Sequence, residues 1–317
     1  MSETGKEVLE KAEREIGKAI IGYKEKTKDL LTCLLADGHL LIEGVPGIAK
    51  TTFSKAFALT LDLSFGRIQF TQDLLPADIT GHYFYNQEKR AFEIRKGPVF
   101  TEVLLADEIN RAPPKTQSAL LEAMQEKQVT IEGTTLKLPD IFLVIATLNP
   151  IETEGVYPLP EAQLDRFMMK VVLDYPSDVE EVEILRLKSG QEGTPNKVID
   201  RSMIATMKAE AVRTYVHASI YEYVRNIARK TREIEGVELG LSPRSAIHLL
   251  LVSKIHAYLS GRSYVIPDDV KAMAHKVMGH RLILFPELDL EGVTTSSVID
   301  SVLSTVPVPK EEFGKET

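Results

Sequence analysis

Short unbroken apolar runs alternate with longer amphipathic stretches over the first half of the chain. Leu40-Leu41-Ile42 is apolar without interruption, the pattern of a strand buried on both faces. Residues 103–106 and 141–146 have the same character, and 65–70 and 169–173 are further strand candidates. Between them, helical periodicity predicts helices over residues 6–21, 24–35, 51–61 and 113–126. Five buried strands separated by helices predict an α/β fold, a parallel sheet flanked by helices on both faces. In such sheets ligands bind beyond the carboxyl ends of the strands.

The pattern changes after Asp174-Tyr175-Pro176. Ser177 and Glu180 have the spacing of a capping box, in which each side chain satisfies the other's backbone N–H. From there the periodicity is helical, over residues 177–188, 219–234, 242–259 and 267–278, with turn-rich breaks at 189–195 and 236–240. This predicts an α/β domain over residues 1–176 and a small all-α domain over 177–317. Beyond Leu284 the pattern is weak, and residues 310–317 are expected to be disordered. Within the first domain, Tyr83-Phe84-Tyr85 and Ala91-Phe92-Glu93-Ile94 flank a polar turn as the arms of a hairpin do. Residues 129–138, with Gly133 at the turn, form a second such pattern.

Composition narrows the function classes. The chain has 317 residues, 44% hydrophobic and 26% charged, enough to build a core without disulfide or structural metal. Lys plus Arg number 38 and Asp plus Glu 46, a net charge of −8, which argues against nucleic acid as a general partner. Cys33, the one cysteine, sits in an apolar run and reads as a core residue. Residues 1–11 are polar, and no apolar run reaches the ~18 residues of a membrane span, so a cytoplasmic location is expected. The seven histidines show no paired metal spacing, and no Gly-x-Ser-x-Gly nucleophile elbow occurs.

The chemistry lies at two strand ends. Gly44-Val45-Pro46-Gly47-Ile48-Ala49-Lys50-Thr51, followed by Thr52, joins a buried strand to a helix. Its glycines let backbone N–H groups turn around phosphate oxygens, and the helix N-terminus adds its dipole. Lys50 supplies a charge for the β- and γ-phosphates of ATP, and the Thr51 hydroxyl a ligand for Mg²⁺. Ala49 replaces the last glycine of the strict P-loop pattern, which is tolerable where its φ is negative. The second motif, Val103-Leu104-Leu105-Ala106-Asp107-Glu108, delivers two carboxylates at a strand tip. Asp107 is a candidate Mg²⁺ ligand and Glu108 a candidate general base for the attacking water. The two motifs are expected to meet at neighbouring strand tips.

Three long segments resemble the MoxR-type AAA+ ATPases: Ala106-Asp107-Glu108-Ile109-Asn110-Arg111-Ala112-Pro113-Pro114-Lys115-Thr116-Gln117, the run from Gln69 to Gly81, and the run from Tyr157 to Phe167. A P-loop with alanine before its lysine is also similar to that family's form. The resemblance spans about residues 20–282. It implies a P-loop AAA+ core of five parallel strands with a helical lid, assembled as a ring, commonly a hexamer. It implies that Asn149 acts as sensor 1 and Arg166 as an arginine finger reaching the neighbouring subunit's site. Arg244, in the first turn of the helix that Ser242 and Pro243 open, resembles sensor 2, reaching from the lid to the γ-phosphate. Ile20, Ile21 and Gly22 resemble the segment around adenine, and Arg111 is a second interface candidate. The first hairpin corresponds to an insertion in the family's helix 2.

The implied activity is ATP hydrolysis driving chaperone-like remodelling in the maturation of protein complexes. The family resemblance adds metal- or cofactor-dependent enzymes as clients, with a von Willebrand factor A domain protein as partner. Two rival readings differ in class: a nucleic-acid-acting motor, which single-stranded DNA would stimulate, and a nucleotide-gated scaffold, which would release no phosphate.

Overall fold

The computed structural model describes residues 4–45, 47–150, 155–190, 193–310 and 313. Two helices open the chain, α1 (Gly5–Ile16) and α2 (Lys24–Leu35). Glu7 and Thr4 close the start of α1 as a capping box, the Thr4 N–H donating to the Glu7 carboxylate at 2.8 Å. α1 stops at Ile16, short of residue 21, because Gly17 caps it and glycine propagates a helix poorly.

An alternation of strands and helices follows: β1 (Leu40–Gly44), α3 (Lys50–Thr60), β2 (Phe65–Gln69), the short α4 (Pro76–Thr80), the hairpin β3 (Gly81–Asn86) and β4 (Ala91–Lys96), β5 (Val103–Asp107), α5 (Pro114–Glu126), the hairpin β6 (Gln128–Ile131) and β7 (Thr134–Lys137), β8 (Leu143–Leu148), α6 (Glu161–Leu164) and β9 (Met169–Leu173). The remainder is helical: α7 (Asp178–Ser189), α8 (Arg201–Val212), α9 (Ala218–Glu233), α10 (Pro243–Leu259), α11 (Pro267–Met278), α12 (Pro286–Leu290) and α13 (Thr295–Thr305). One short antiparallel ladder, β10 (Val237–Leu239) with β11 (Ile283–Leu284), interrupts the helices.

Five strands form a parallel sheet in the order β2-β5-β8-β1-β9. Their residues alternate between two cores. Leu40, Ile42, Val103, Leu105, Leu143 and Ile145 face α1, α2, α3 and the later helices, while Leu41, Leu104, Ala106, Val144 and Ala146 face α5 and its surroundings. All are buried. Each fully buried Leu or Ile contributes roughly 1.5–3 kcal/mol relative to exposure, which is why continuous apolar runs settle in the middle of such a sheet.

The order of strands corrects one expectation. The tips of β1 and β5 are not adjacent, because β8 runs between them, pairing Ile145 with Leu40 and Leu143 with Val103. The connection leaving β8 therefore emerges between the two motifs.

Besides the β10–β11 ladder and the short α12, the helical part contains two longer helices that the sequence pattern did not predict. α8 starts where the Asp200 carboxylate accepts from the Met203 N–H at 2.9 Å, and it buries Ile204, Met207 and Ala211. The weakly patterned tail contains α13, capped by Thr294, which packs Val298, Ile299 and Val302 against α9 and α11. Ser, Thr and Val give that segment little intrinsic propensity, so tertiary burial makes the helix. Phe313 packs onto the same core, 6.3 Å from the His217 ring centre. Apart from Lys310 and Phe313, residues 310–317 lie outside the described residues.

The helical part is fastened to the body. α10 packs on α1 and α2, and α11 on β9. Lys276 of α11 pairs with the buried Asp29 of α2 at 2.5 Å.

Candidate active site

The carboxyl edge of the sheet collects the first set of candidate residues. Gly44 ends β1, and a Cβ there would lie 2.6 Å from the Ile48 side chain and 3.1 Å from Leu173, so a larger residue would push these neighbours apart. Gly47 takes φ +87°, turning the loop back towards α3. Pro46 lies outside the described residues; Val45 and Ile48 pack on the core, with the Ile48 carbonyl accepting from the Tyr23 hydroxyl. Burial pushes that phenol up to about 12, which keeps it a donor. Lys50 is buried at the start of α3, its ammonium donating to the Gly44 carbonyl at 2.9 Å across the mouth of the loop. Thr51 and Thr52, half-buried, occupy the first turn of α3, where the backbone N–H groups have no intrahelical acceptor.

Ala49 departs from the expectation of negative φ: its φ is +57° and its ψ +30°. The loop must turn left-handed there to aim its amides inward, and an L-residue in that region costs about 1–2 kcal/mol. Ala49→Gly should therefore raise stability by about 1 kcal/mol, the relief of strain exceeding the extra unfolded-state entropy of glycine. Thermal denaturation of the nucleotide-free protein checks this; a lowered midpoint would contradict the strain assignment.

At the tip of β5 the two acids are held differently. Asp107 is buried, with Oδ1 accepting from the Thr147 hydroxyl at 2.7 Å and Oδ2 from Arg67 at 2.8 Å. Glu108 also has a left-handed backbone, φ +57°, and its N–H donates to the same Thr147 oxygen at 2.8 Å. Its carboxylate accepts from Gln69 Nε2 at 2.8 Å and pairs with Arg111 at 3.3 Å. Arg67 and Gln69 lie on β2 and Thr147 on β8, the strands flanking β5, so the acid pair is oriented from both sides. Asn149, buried, directly follows β8 and enters the same edge. Sequence reasoning missed the roles of Arg67, Gln69 and Thr147. The available signal was polar residues at alternate positions near the end of otherwise apolar strands.

Beside the loop, a cavity of about 410 Å³ is lined by Ile20, Ile21, Tyr23, Gly47, Ile48, Ala49, Thr52, Tyr175, Pro176 and Leu185. Its size and apolar walls suit an aromatic base joined to the phosphate loop. Gly22 does not line it; Gly22 turns the chain between Ile21 and Tyr23 and borders an adjoining cleft.

Arg166 and Arg244 lie elsewhere. Arg166 precedes β9, whose first residue pairs with the first residue of β1, and the Met168 N–H donates to the His39 carbonyl just before β1. The two arginines share a cleft of about 150 Å³ with Asp37, Gly38, His39, Asp165 and His248, at the amino edge of the sheet. The length of β1 separates them from Lys50. Within one chain Arg244 therefore does not meet the phosphate loop. Arg244 stands 3.9 Å from Asp165, whose carboxylate is bound more closely by Arg281 at 2.7 Å. Asp165 thus takes other partners than its neighbour Arg166.

Among the described residues no group of three or more His, Cys, Asp or Glu could hold a metal ion. A nucleotide-bound Mg²⁺ needs no such cage, since phosphate and water oxygens fill most of its shell. Among the described residues no helix is long and apolar enough to cross a membrane.

Comparison with known proteins agrees with this layout. The model of the ATPase family associated with various cellular activities (AAA) matches residues 39–169, and that of the AAA lid domain matches residues 229–302. The chain is 45% identical to the protein YeaC of Bacillus subtilis over 95% of both chains. It is 42% identical to the chaperone MoxR1 of Mycobacterium tuberculosis, over 95% of this chain and 82% of that one. The crystal structure of a proposed ATPase from Cytophaga hutchinsonii superposes with a TM-score of 0.90 at 42% identity, covering 96% of each chain. A phosphate loop, an acid pair on the second strand over and a helical lid, in a chain this similar throughout, have one explanation: the chain belongs to the MoxR-type AAA+ ATPases.

Proposed function

We propose that this ATPase works as a ring of identical subunits that remodels protein partners, with each active site completed by the next subunit. The observation that carries the reading is the division of the candidate residues between the two edges of one sheet. Lys50, Thr51, Asp107, Glu108 and Asn149 lie at the carboxyl edge, Arg166 and Arg244 at the amino edge. Two edges with complementary chemistry suit a head-to-tail contact, which generates a ring when the rotation between subunits closes.

In this reading Lys50 and the loop amides bind the phosphates, and the cavity beside Ile21 and Tyr175 takes the base. The Thr51 hydroxyl and the Asp107 carboxylate, hard oxygen donors, fit a Mg²⁺ ion, which when bound neutralises phosphate charge. Glu108 takes the proton of the attacking water, and Asn149 orients that water or the γ-phosphate. Arg166 and Arg244 of the adjacent subunit stabilise the charge that develops on the γ-phosphoryl group. The domain division falls near residue 176, between the end of β9 and the start of α7.

Chaperone-like action is supported by the name of the mycobacterial relative and by the surface of the first hairpin. There Phe84, Tyr85 and Phe92 are exposed, Phe92 at 70%, and the Tyr85 and Phe92 rings pack 5.3 Å apart. Exposed aromatics on a two-stranded arm suit transient contact with a protein client. A cytoplasmic location, a hexameric ring and help in activating metal- or cofactor-dependent enzymes, through a von Willebrand factor A domain partner, complete the proposal.

The test mixes two inactive variants. Arg166→Ala keeps its loop and Lys50→Ala keeps its arginines, so roughly a quarter of interfaces in a random equimolar mixture pair an intact loop with an intact arginine. Each variant alone should lose about 10³-fold or more in phosphate release, and the mixture should regain a measurable fraction of the wild-type rate. No recovery in a mixture whose subunits demonstrably exchange would exclude a role for Arg166 in the neighbouring site.

A further inference from the structure

The chain around Arg166 is gripped by a single buried guanidinium from the helical part. Arg281 follows α11, and its side chain is 3% exposed. Its Nε donates to Asp165 Oδ1 at 2.7 Å. Its Nη2 donates to the Phe167 carbonyl at 2.6 Å and its Nη1 to the Met168 carbonyl at 3.2 Å. Arg281 thus holds the residues on both sides of Arg166 without touching Arg166 itself. Its own position is set from the lid: Nη1 also donates to the Val277 carbonyl, and Nη2 to His248 Nδ1 at 2.9 Å. Burial, with the Arg281 charge beside it, pushes His248 down to about 4, so this imidazole is neutral and can accept. His280 Nε2 adds a contact with the Phe167 carbonyl at 3.1 Å.

A buried guanidinium has a planar, fixed fork of donors and is costly to bury unless all of them are used. Such a group makes a rigid clamp, which a flexible ammonium cannot reproduce. We propose that Arg281 is the positioning residue for Arg166: it locks the segment from Asp165 to Met168 to the lid, so that the reach of Arg166 into the neighbouring site follows the lid. This rests on the neighbour-site reading of Arg166.

The experiment uses Arg281→Lys, which keeps the charge and loses the fork, and Asp165→Asn, which weakens the same clamp from the other side. For both, assembly is checked by sedimentation and ATP affinity by titration. Arg281→Lys should leave ATP affinity within about twofold and lower kcat about 10²-fold, the usual consequence of a displacement near 1 Å in a catalytic group. Mixed with Lys50→Ala, either variant should recover activity, because the Lys50→Ala subunit lends a correctly held Arg166. Wild-type kcat in both variants would overturn the proposal. So would loss of kcat without recovery in mixtures where Arg166→Ala does recover, since the damage would then lie in the variant's own site. If the Arg166→Ala mixture also fails, the neighbour-site reading falls first and this inference with it.

Discussion

Replacing Lys50 with alanine should weaken ATP binding by roughly 10²–10³-fold and abolish steady-state phosphate release. The ammonium is buried and held at the loop mouth by the Gly44 carbonyl, 2.9 Å away. It thus stands poised where anionic oxygens would come against the loop amides. Removing one partner of a buried, hydrogen-bonded charge pair costs about 2–5 kcal/mol, and that cost falls on the bound state. In the free protein the substitution removes the bond to Gly44, worth about 1 kcal/mol, so the variant should still fold with a lower melting point. Calorimetric titration with ATP measures the first effect and circular dichroism the second. ATP affinity unchanged in a folded Lys50→Ala protein would remove the loop from the binding site.

The sheet was legible in the sequence because strands buried on both faces leave an unbroken apolar signature. Leu40-Leu41-Ile42 supplies one core with two residues and the other with one, and no polar position interrupts it. What the sequence could not show was strand order. Nothing local to β8 says that it inserts between β1 and β5, since that follows from how crossover helices pack. The capping box at Ser177 was legible and is present, with the Ser177 N–H donating to Glu180 at 2.9 Å. The Asp200 cap of α8 carried an equally local signal, and Ile204, Met207 and Ala211 keep the i, i+3, i+7 spacing of a helix face, so α8 too was written locally in the chain. α13 was hidden because its residues favour a helix only once Val298, Ile299 and Val302 have a surface to cover.

The site was legible in part for the same reason. Lys50, Thr51, Asp107 and Glu108 lie in contiguous motifs, so the chain itself brings most of the chemistry together. Arg67, Gln69 and Thr147 act on Asp107 and Glu108 from flanking strands, and such contacts exist only after the sheet is ordered. Arg244 shows the converse. Its local signal, a cationic residue in the first turn of a helix where the dipole disfavours it, marks the residue as constrained. The direction it faces is decided by how α10 packs, and that placed it beside Asp165 and not beside Lys50.

Glu108→Gln should lower kcat by about 10²–10⁴-fold while leaving ATP affinity close to wild type. Among the described residues the Glu108 carboxylate contacts Gln69 and Arg111, on the rim of the site. Asp107, by contrast, is tied to Thr147 and Arg67 beneath it. An amide of the same shape can still accept from Gln69 through its oxygen, and the Thr147 bond to the backbone N–H is untouched. The left-handed turn that aims residue 108 should therefore persist. What disappears is the ability to take a proton from water, together with the charge facing Arg111. The protein should bind ATP, hold it unhydrolysed and accumulate in its ATP-bound assembly. Rapid-quench measurement of ADP formation in a single turnover separates this from slow product release. A normal single-turnover rate would show that another group accepts the proton; a large loss of ATP affinity would show that Glu108 is needed to shape the site before any chemistry begins.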